Sequence, residues 1–139
     1  MIKTEYEFEQ DFYNIVKDCE VAKHVSGKVY KSGLRPPDSD KEDIVVKITT
    51  VDSNQLQKGV VTIVIFVPDI DGLGGGRSVP NRNRIGQIQK FCRNFRDEVA
   101  QKLKGSYAGL KYETAIKTFS SAELAQSYVS IKLEFNYLS

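Results

Sequence analysis

The chain has 139 residues, 40% of them hydrophobic and 27% charged. That is enough for one domain with its own core, and it is ordinary for a globular protein rather than a disordered or fibrous one. The 20 Lys and Arg against 18 Asp and Glu leave a formal net charge of +2, too small by itself to imply a nucleic-acid partner.

Thr4 and Glu7 form a capping box, and Phe8, Phe12, Ile15, Val16 and Cys19 follow at helical spacing, so a helix is expected over 5–19. Residues 27–30 read as a short strand after a turn. Gly33, Pro36 and Pro37 make 31–41 a loop. Residues 43–51 read as a strand with Ile44, Val46 and Ile48 on one face. A polar turn over 52–59 leads to an antiparallel return over 60–67, stopped by Pro68. This second strand is apolar on both faces, so it is expected to be central or covered on both sides.

The connector over 69–83 contains Gly72, Gly74, Gly75 and Gly76 with Arg77 and Arg82. It is longer than connections usually are in compact domains. It reads as a flexible, basic, glycine-rich arm, suited to docking on a partner. Ile85, Ile88, Cys92, Phe95, Val99 and Leu103 then mark one long amphipathic helix. A turn over 106–111, a strand over 112–119, a turn over 120–125 and a final strand over 127–138 complete the order. In the last strand Val129, Ile131, Leu133, Phe135 and Tyr137 alternate with polar residues and Tyr128. The expected architecture is a single α+β domain, an antiparallel or mixed sheet of about four to five strands with two helices packed on it.

Charge is unevenly distributed. Residues 1–20 hold Glu5, Glu7, Glu9, Asp11, Asp18 and Glu20 against Lys3 and Lys17. Residues 77–104 hold Arg77, Arg82, Arg84, Lys90, Arg93, Arg96, Lys102 and Lys104 against Asp97 and Glu98. Either the two helices offset each other within the chain, or they are complementary patches that join copies of it.

Residues able to assemble a reaction are scarce. His24 is the sole histidine and reads as a surface residue. The glycine cluster has no Gly-Lys-Ser/Thr, and Arg77 stands where a dinucleotide fingerprint needs its third glycine. The carboxylates Asp38, Asp40, Glu42 and Asp43, and the pair Asp69 and Asp71, do not fit a calcium loop and read as solvated loops. No enzyme, cofactor or metal site is expected. Cys19 and Cys92 fall on apolar helix faces, where a free thiol behaves as a small buried hydrophobe. Residues 1–10 are acidic with no apolar leader, and no run reaches transmembrane length. Synthesis in a reducing cytoplasm and no membrane partner are therefore expected.

Three segments resemble the tail terminator proteins of long-tailed bacteriophages: Gly27-Lys28-Val29-Tyr30 followed by Arg35-Pro36-Pro37; Val61-Thr62-Ile63-Val64-Ile65-Phe66-Val67-Pro68; and Phe119-Ser120-Ser121-Ala122-Glu123-Leu124 running into Tyr128-Val129-Ser130-Ile131. The resemblance implies a non-enzymatic virion or prophage tail protein. It would form a homo-oligomeric ring, a hexamer, that caps the tail tube and contacts tail-tube and head–tail connector proteins. A ring needs unlike patches that meet between copies. The contact residues expected on that basis are Gly74, Gly75, Gly76, Arg77, Arg82 and Arg84 on the arm and second helix, and Glu5 and Glu9 on the first. Strand edges near 60–67 or 127–138 are expected to contribute. The alternative is a small nucleic-acid-binding regulatory domain that uses the basic arm and second helix.

Overall fold

The structure is a computed structural model that describes residues 2–51, 55–72, 78–121 and 125–138. Helix α1 (Glu5–Val16) starts at the capping box: the Thr4 hydroxyl accepts from the Glu7 amide at 3.2 Å, and the Glu7 carboxylate accepts from the Thr4 amide at 3.1 Å. It ends at Val16, short of the expected Cys19. The amides of Asp18 and Cys19 bond the carbonyls of Ile15 and Val16, a tightening that ends the α-helix and leads to a 3-10 turn over Glu20–Lys23.

Strands β1 (Val29–Lys31), β2 (Ile44–Val51) and β3 (Leu56–Pro68) come next, then the two-residue strands β4 (Ile70–Asp71) and β5 (Ser78–Val79). Helices α2 (Arg82–Phe91) and α3 (Phe95–Lys102) precede β6 (Tyr107–Tyr112), β7 (Lys117–Ser121) and β8 (Gln126–Leu138). Six strands form one sheet in the order β1-β2-β3-β8-β6, with β7 also on β8. Among the described residues only β1 pairs in parallel, with β2. The α+β class is as expected, with a larger mixed sheet.

Several elements differ from the sequence reading. The polar turn expected over 52–59 is shorter, because β3 already starts at Leu56, where pairing with Leu138 of β8 extends it. The stretch over 106–111 is not a turn but the strand β6. Gly109 has φ +64° and lies at a register shift between Ala108 and Lys111, so this glycine makes a bulge within a strand rather than a connection between strands. The strand expected over 112–119 is correspondingly interrupted, and β6 and β7 share the edge of the 13-residue β8. The single long helix is two. Around residues 92–94 the amides of Cys92, Arg93 and Phe95 bond the carbonyls of Gln89, Lys90 and Cys92, and Asn94, a poor helix former, stands before α3. On either side of this bend α2 lies on β8 and α3 on β6. Finally, the arm is not wholly irregular: Ile70 pairs with Val79 and Asp71 with Ser78 in a short hairpin. Its tip, including Gly74, Gly75, Gly76 and Arg77, lies outside the described residues.

All three helices lie on one face of the sheet. Phe8, Phe12 and Val16 from α1, Ile85 and Ile88 from α2, and Phe95 and Val99 from α3 meet Ile44, Val46, Val61, Ile63, Ile65, Val67, Val129, Ile131, Leu133 and Phe135. Phe135 lies under α1, its ring centroid 5.1 Å from Phe8 and 4.9 Å from Phe12. The expected core is present, with Ile15 only partly buried at its margin. Cys19 and Cys92 are both buried and free, and burial pushes each thiol up to about 12.

Candidate functional site

Two polar networks fix the corners of the domain, and both use carboxylates that read as solvated in the sequence. Glu42 and Asp43 are buried. Arg84 on α2 holds Glu42 with two prongs, Nε to Oε2 at 2.6 Å and Nη2 to Oε1 at 2.9 Å. It also donates to the His24 carbonyl at 2.5 Å and to Gln87 Oε1 at 3.0 Å. Glu42 in turn accepts from the Ser26 amide, and its own amide donates to Ser26 Oγ. Arg84 therefore ties α2 to the chain before β1 and to the start of β2. Its charge is spent inside the fold.

Asp43 receives Arg35 Nε at 3.0 Å, the Lys28 amide at 3.1 Å and the Ser39 hydroxyl. Burial alone would push this carboxyl up. The hydrogen bonds from Ser39, Lys28 and Arg35 and the Arg35 charge outweigh burial and hold it below the usual range. A Cβ on Gly27 would stand 2.0 Å from Asp43 Oδ1, so only glycine lets the carboxylate approach. The Arg35 guanidinium also covers the Phe66 ring at 3.8 Å and reaches Gln126 Oε1 at 3.2 Å. The proline loop is thus pinned over one corner of the face opposite the helices.

The rest of that face has no covering element among the described residues. Strand register places Val45, Lys47, Lys58, Val60, Thr62, Val64, Phe66, Tyr128, Ser130, Lys132, Glu134, Lys111, Lys117 and Phe119 on it. Its middle is apolar and half-buried: Val45, Val60, Val64, Phe66 and Tyr128. Phe66, Tyr128 and Phe119 form an aromatic row, with Phe119 stacked on Tyr128 at 5.3 Å and 46% exposed. Thr62 Oγ1 is buried there with no hydrogen-bond partner. Around this middle stand Lys47, Lys58, Lys111, Lys117 and Lys132, with Glu134, which pairs with Lys111 at 3.3 Å, and Glu113, whose amide bonds the Lys132 carbonyl at 2.9 Å. A groove of about 380 Å³ runs between Lys58, Val60, Lys111, Glu134 and Asn136.

A second, unlike patch lies between α1 and the loop after β1. Tyr6 is 76% exposed and Leu34 is 65% exposed, and both line a shallow depression with Glu7, Glu9 and Gln10. Glu5 is exposed beside it; Glu9 is largely buried. Arg82 is exposed at the first turn of α2. Among the described residues none of Glu5, Glu9 and Arg82 has an ion-pair partner within 4 Å. No ion pair there joins a carboxylate of α1 to a basic residue of α2 or α3. The charge asymmetry is not cancelled by direct pairing between the helices. The strand edges are also elsewhere than expected: β3 and β8, the longest and most apolar strands, are paired on both sides, and the free edges belong to β1, β2, β6 and β7.

His24 stacks on Phe91 at 3.9 Å and meets Glu20 at 2.8 Å at the surface. Among the described residues no group of three His, Cys, Asp or Glu side chains converges as metal ligands would, and no helix is long and apolar enough to cross a membrane. An open cleft of about 600 Å³ between α2 and the β6–β7 turn is lined by Gln89, Arg93, Tyr112, Glu113, Thr114, Ala115 and Ile116. These side chains supply no paired nucleophile and base. Neither a protein-family model nor a curated protein matches the sequence.

Proposed function

We propose that this chain is a structural tail protein of a long-tailed phage or prophage, a ring-forming subunit that terminates the tail tube and joins it to the head. The observation that carries the proposal is the uncovered sheet face. Strands as continuously apolar as β3 are normally covered on both sides. Here Val60, Val64 and Phe66 stay half-buried, and among the described residues no helix lies on their face. A second macromolecule on that face would complete the burial. The three segments that resemble tail terminators indicate another copy of the chain and the tube as that macromolecule. The function is then one of surfaces: a heterologous contact closes a ring, and the ring caps the tube against further polymerisation.

The test is deletion of the gene in its phage or prophage. Tails of uncontrolled length, or tails that fail to join heads, are expected in electron micrographs, with restoration by the wild-type gene supplied in trans. Joined tails of normal length from the deletion strain would overturn the proposal. The basic residues of the open face favour a second reading, a single-strand nucleic-acid binder. Tight, steeply salt-dependent oligonucleotide binding would promote it.

A further inference from the structure

We propose that the open sheet face of one copy receives the Tyr6–Leu34 patch of the next, so that subunits join head to tail through these two unlike surfaces. This rests on the ring reading and names its interface. The occupant follows from complementarity present in one chain. The open face is a rim of lysines (Lys47, Lys117, Lys132) around an apolar middle that ends in the exposed Phe119. The other patch is an apolar pair, Tyr6 and Leu34, bordered by the exposed carboxylates Glu5 and Glu7, with Lys31 at its margin bonded to Gln10. Each has what the other lacks: large exposed apolar groups at the centre and opposite charge at the rim. That is the usual arrangement of a specific interface.

The two surfaces cannot satisfy each other within one subunit. Helix α1 packs through Phe8 and Phe12 against Phe135, on the helical side of the sheet, while the lysine face looks the other way. A contact between two different surfaces of the subunit is heterologous; it repeats from copy to copy and makes a ring where the rotation closes. A nucleic-acid strand fits the same face less well. Tyr128 is flanked by Phe66 and Phe119, and Phe66 lies under Arg35, so Phe119 is the exposed ring of the three. Successive bases need successive free rings.

The experiment uses two variants of the full chain, K117A/F119A/K132A on the open face and E5A/Y6A/L34A on the other patch. Glu7 is left intact because it caps α1. Circular dichroism and thermal melts establish that both fold. Native mass spectrometry and light scattering, at the highest soluble concentration and at low salt, read assembly. Wild type is expected to form oligomers that weaken as salt rises. Each variant alone should associate about tenfold or more weakly, the scale of losing central and rim contacts together. An equimolar mixture of the two should give dimers and nothing larger, because one intact surface remains on each partner. Wild-type-like oligomers from either variant, a mixture that stays monomeric, or a wild type that is monomeric throughout would overturn the interface. So would unchanged assembly in the lysine variant together with loss of binding to a fluorescent single-stranded oligonucleotide. Failure here with abnormal tails in the deletion strain leaves the ring reading standing on another surface; normal tails there remove the reading itself.

Discussion

Phe135 is where the helical layer meets the sheet, and its removal measures that contact directly. The ring is 1% exposed and touches Phe8, Phe12 and Tyr107 with centroids 5.1, 4.9 and 5.9 Å away. Phe135→Ala deletes the ring and leaves a cavity under α1, a change that costs about 3–5 kcal/mol in well-packed cores. Loss of the tilted ring pairs is part of that figure, at roughly 0.5–1.5 kcal/mol each. Against a total stability of about 5–15 kcal/mol this removes a large share. The midpoint should fall by about 10–20 °C, since a chain of this size loses roughly 4 °C per kcal/mol. The comparison is Val64→Ala on the opposite face, half-buried and without a helix over it. It should cost about 1 kcal/mol or less in the monomer, because little buried volume is lost. Urea unfolding followed by circular dichroism gives both values, with the m-value checking two-state behaviour. A Phe135→Ala cost below about 1 kcal/mol, or equal costs at the two sites, would refute the assignment of one covered and one open face.

Four further outcomes follow from named contacts. Glu42→Gln and Arg84→Gln should each destabilise by about 1–3 kcal/mol, less than a fully buried pair because Arg84 is partly exposed; a double-mutant cycle should show coupling above about 0.5 kcal/mol, and strict additivity would mean the pair contributes nothing. Asp43 is harder to protonate folded than unfolded, so its contribution is complete above 3.8, its ordinary value, and drains as pH falls below it. Asp43→Asn should therefore show a shallower loss of stability with pH in that acid range, and equal slopes would contradict the linkage. The cysteines have the opposite sign: with folded values near 12 against 9.0, their contribution is complete below 9.0 and is lost as pH rises toward 12, so alkylation of Cys19 and Cys92 at neutral pH should require unfolding. Thr62→Val keeps the shape and removes a buried hydroxyl with no partner, and should leave the isolated subunit unchanged or stabilise it by about 1 kcal/mol in thermal or urea unfolding, whereas a loss of that size would reveal a bond to Oγ1.

The sequence by itself determined the elements whose signal is local. The capping box of Thr4 and Glu7 set the start of α1, and strict alternation in β8 set which residues face the core, because a period of two leaves only two assignments. The buried thiols and the central position of β3 were legible for the same reason. Of the contact residues, Arg82 and Glu5 are exposed as the sequence suggested, while Arg84 and Glu9 are not free surface. What only the tertiary structure decided depends on partners distant in the chain. Arg84 finds Glu42 across 42 positions, and Asp43 finds Arg35, so charges that read as solvated became buried anchors. Gly109 became a bulge because the long β8 offered an edge to pair with. The grouping of Lys47, Lys117 and Lys132 on one face has no linear signature. Register across the β2–β3–β8–β7 ladders brings them together, and a ladder's register is a property of pairing rather than of any one segment.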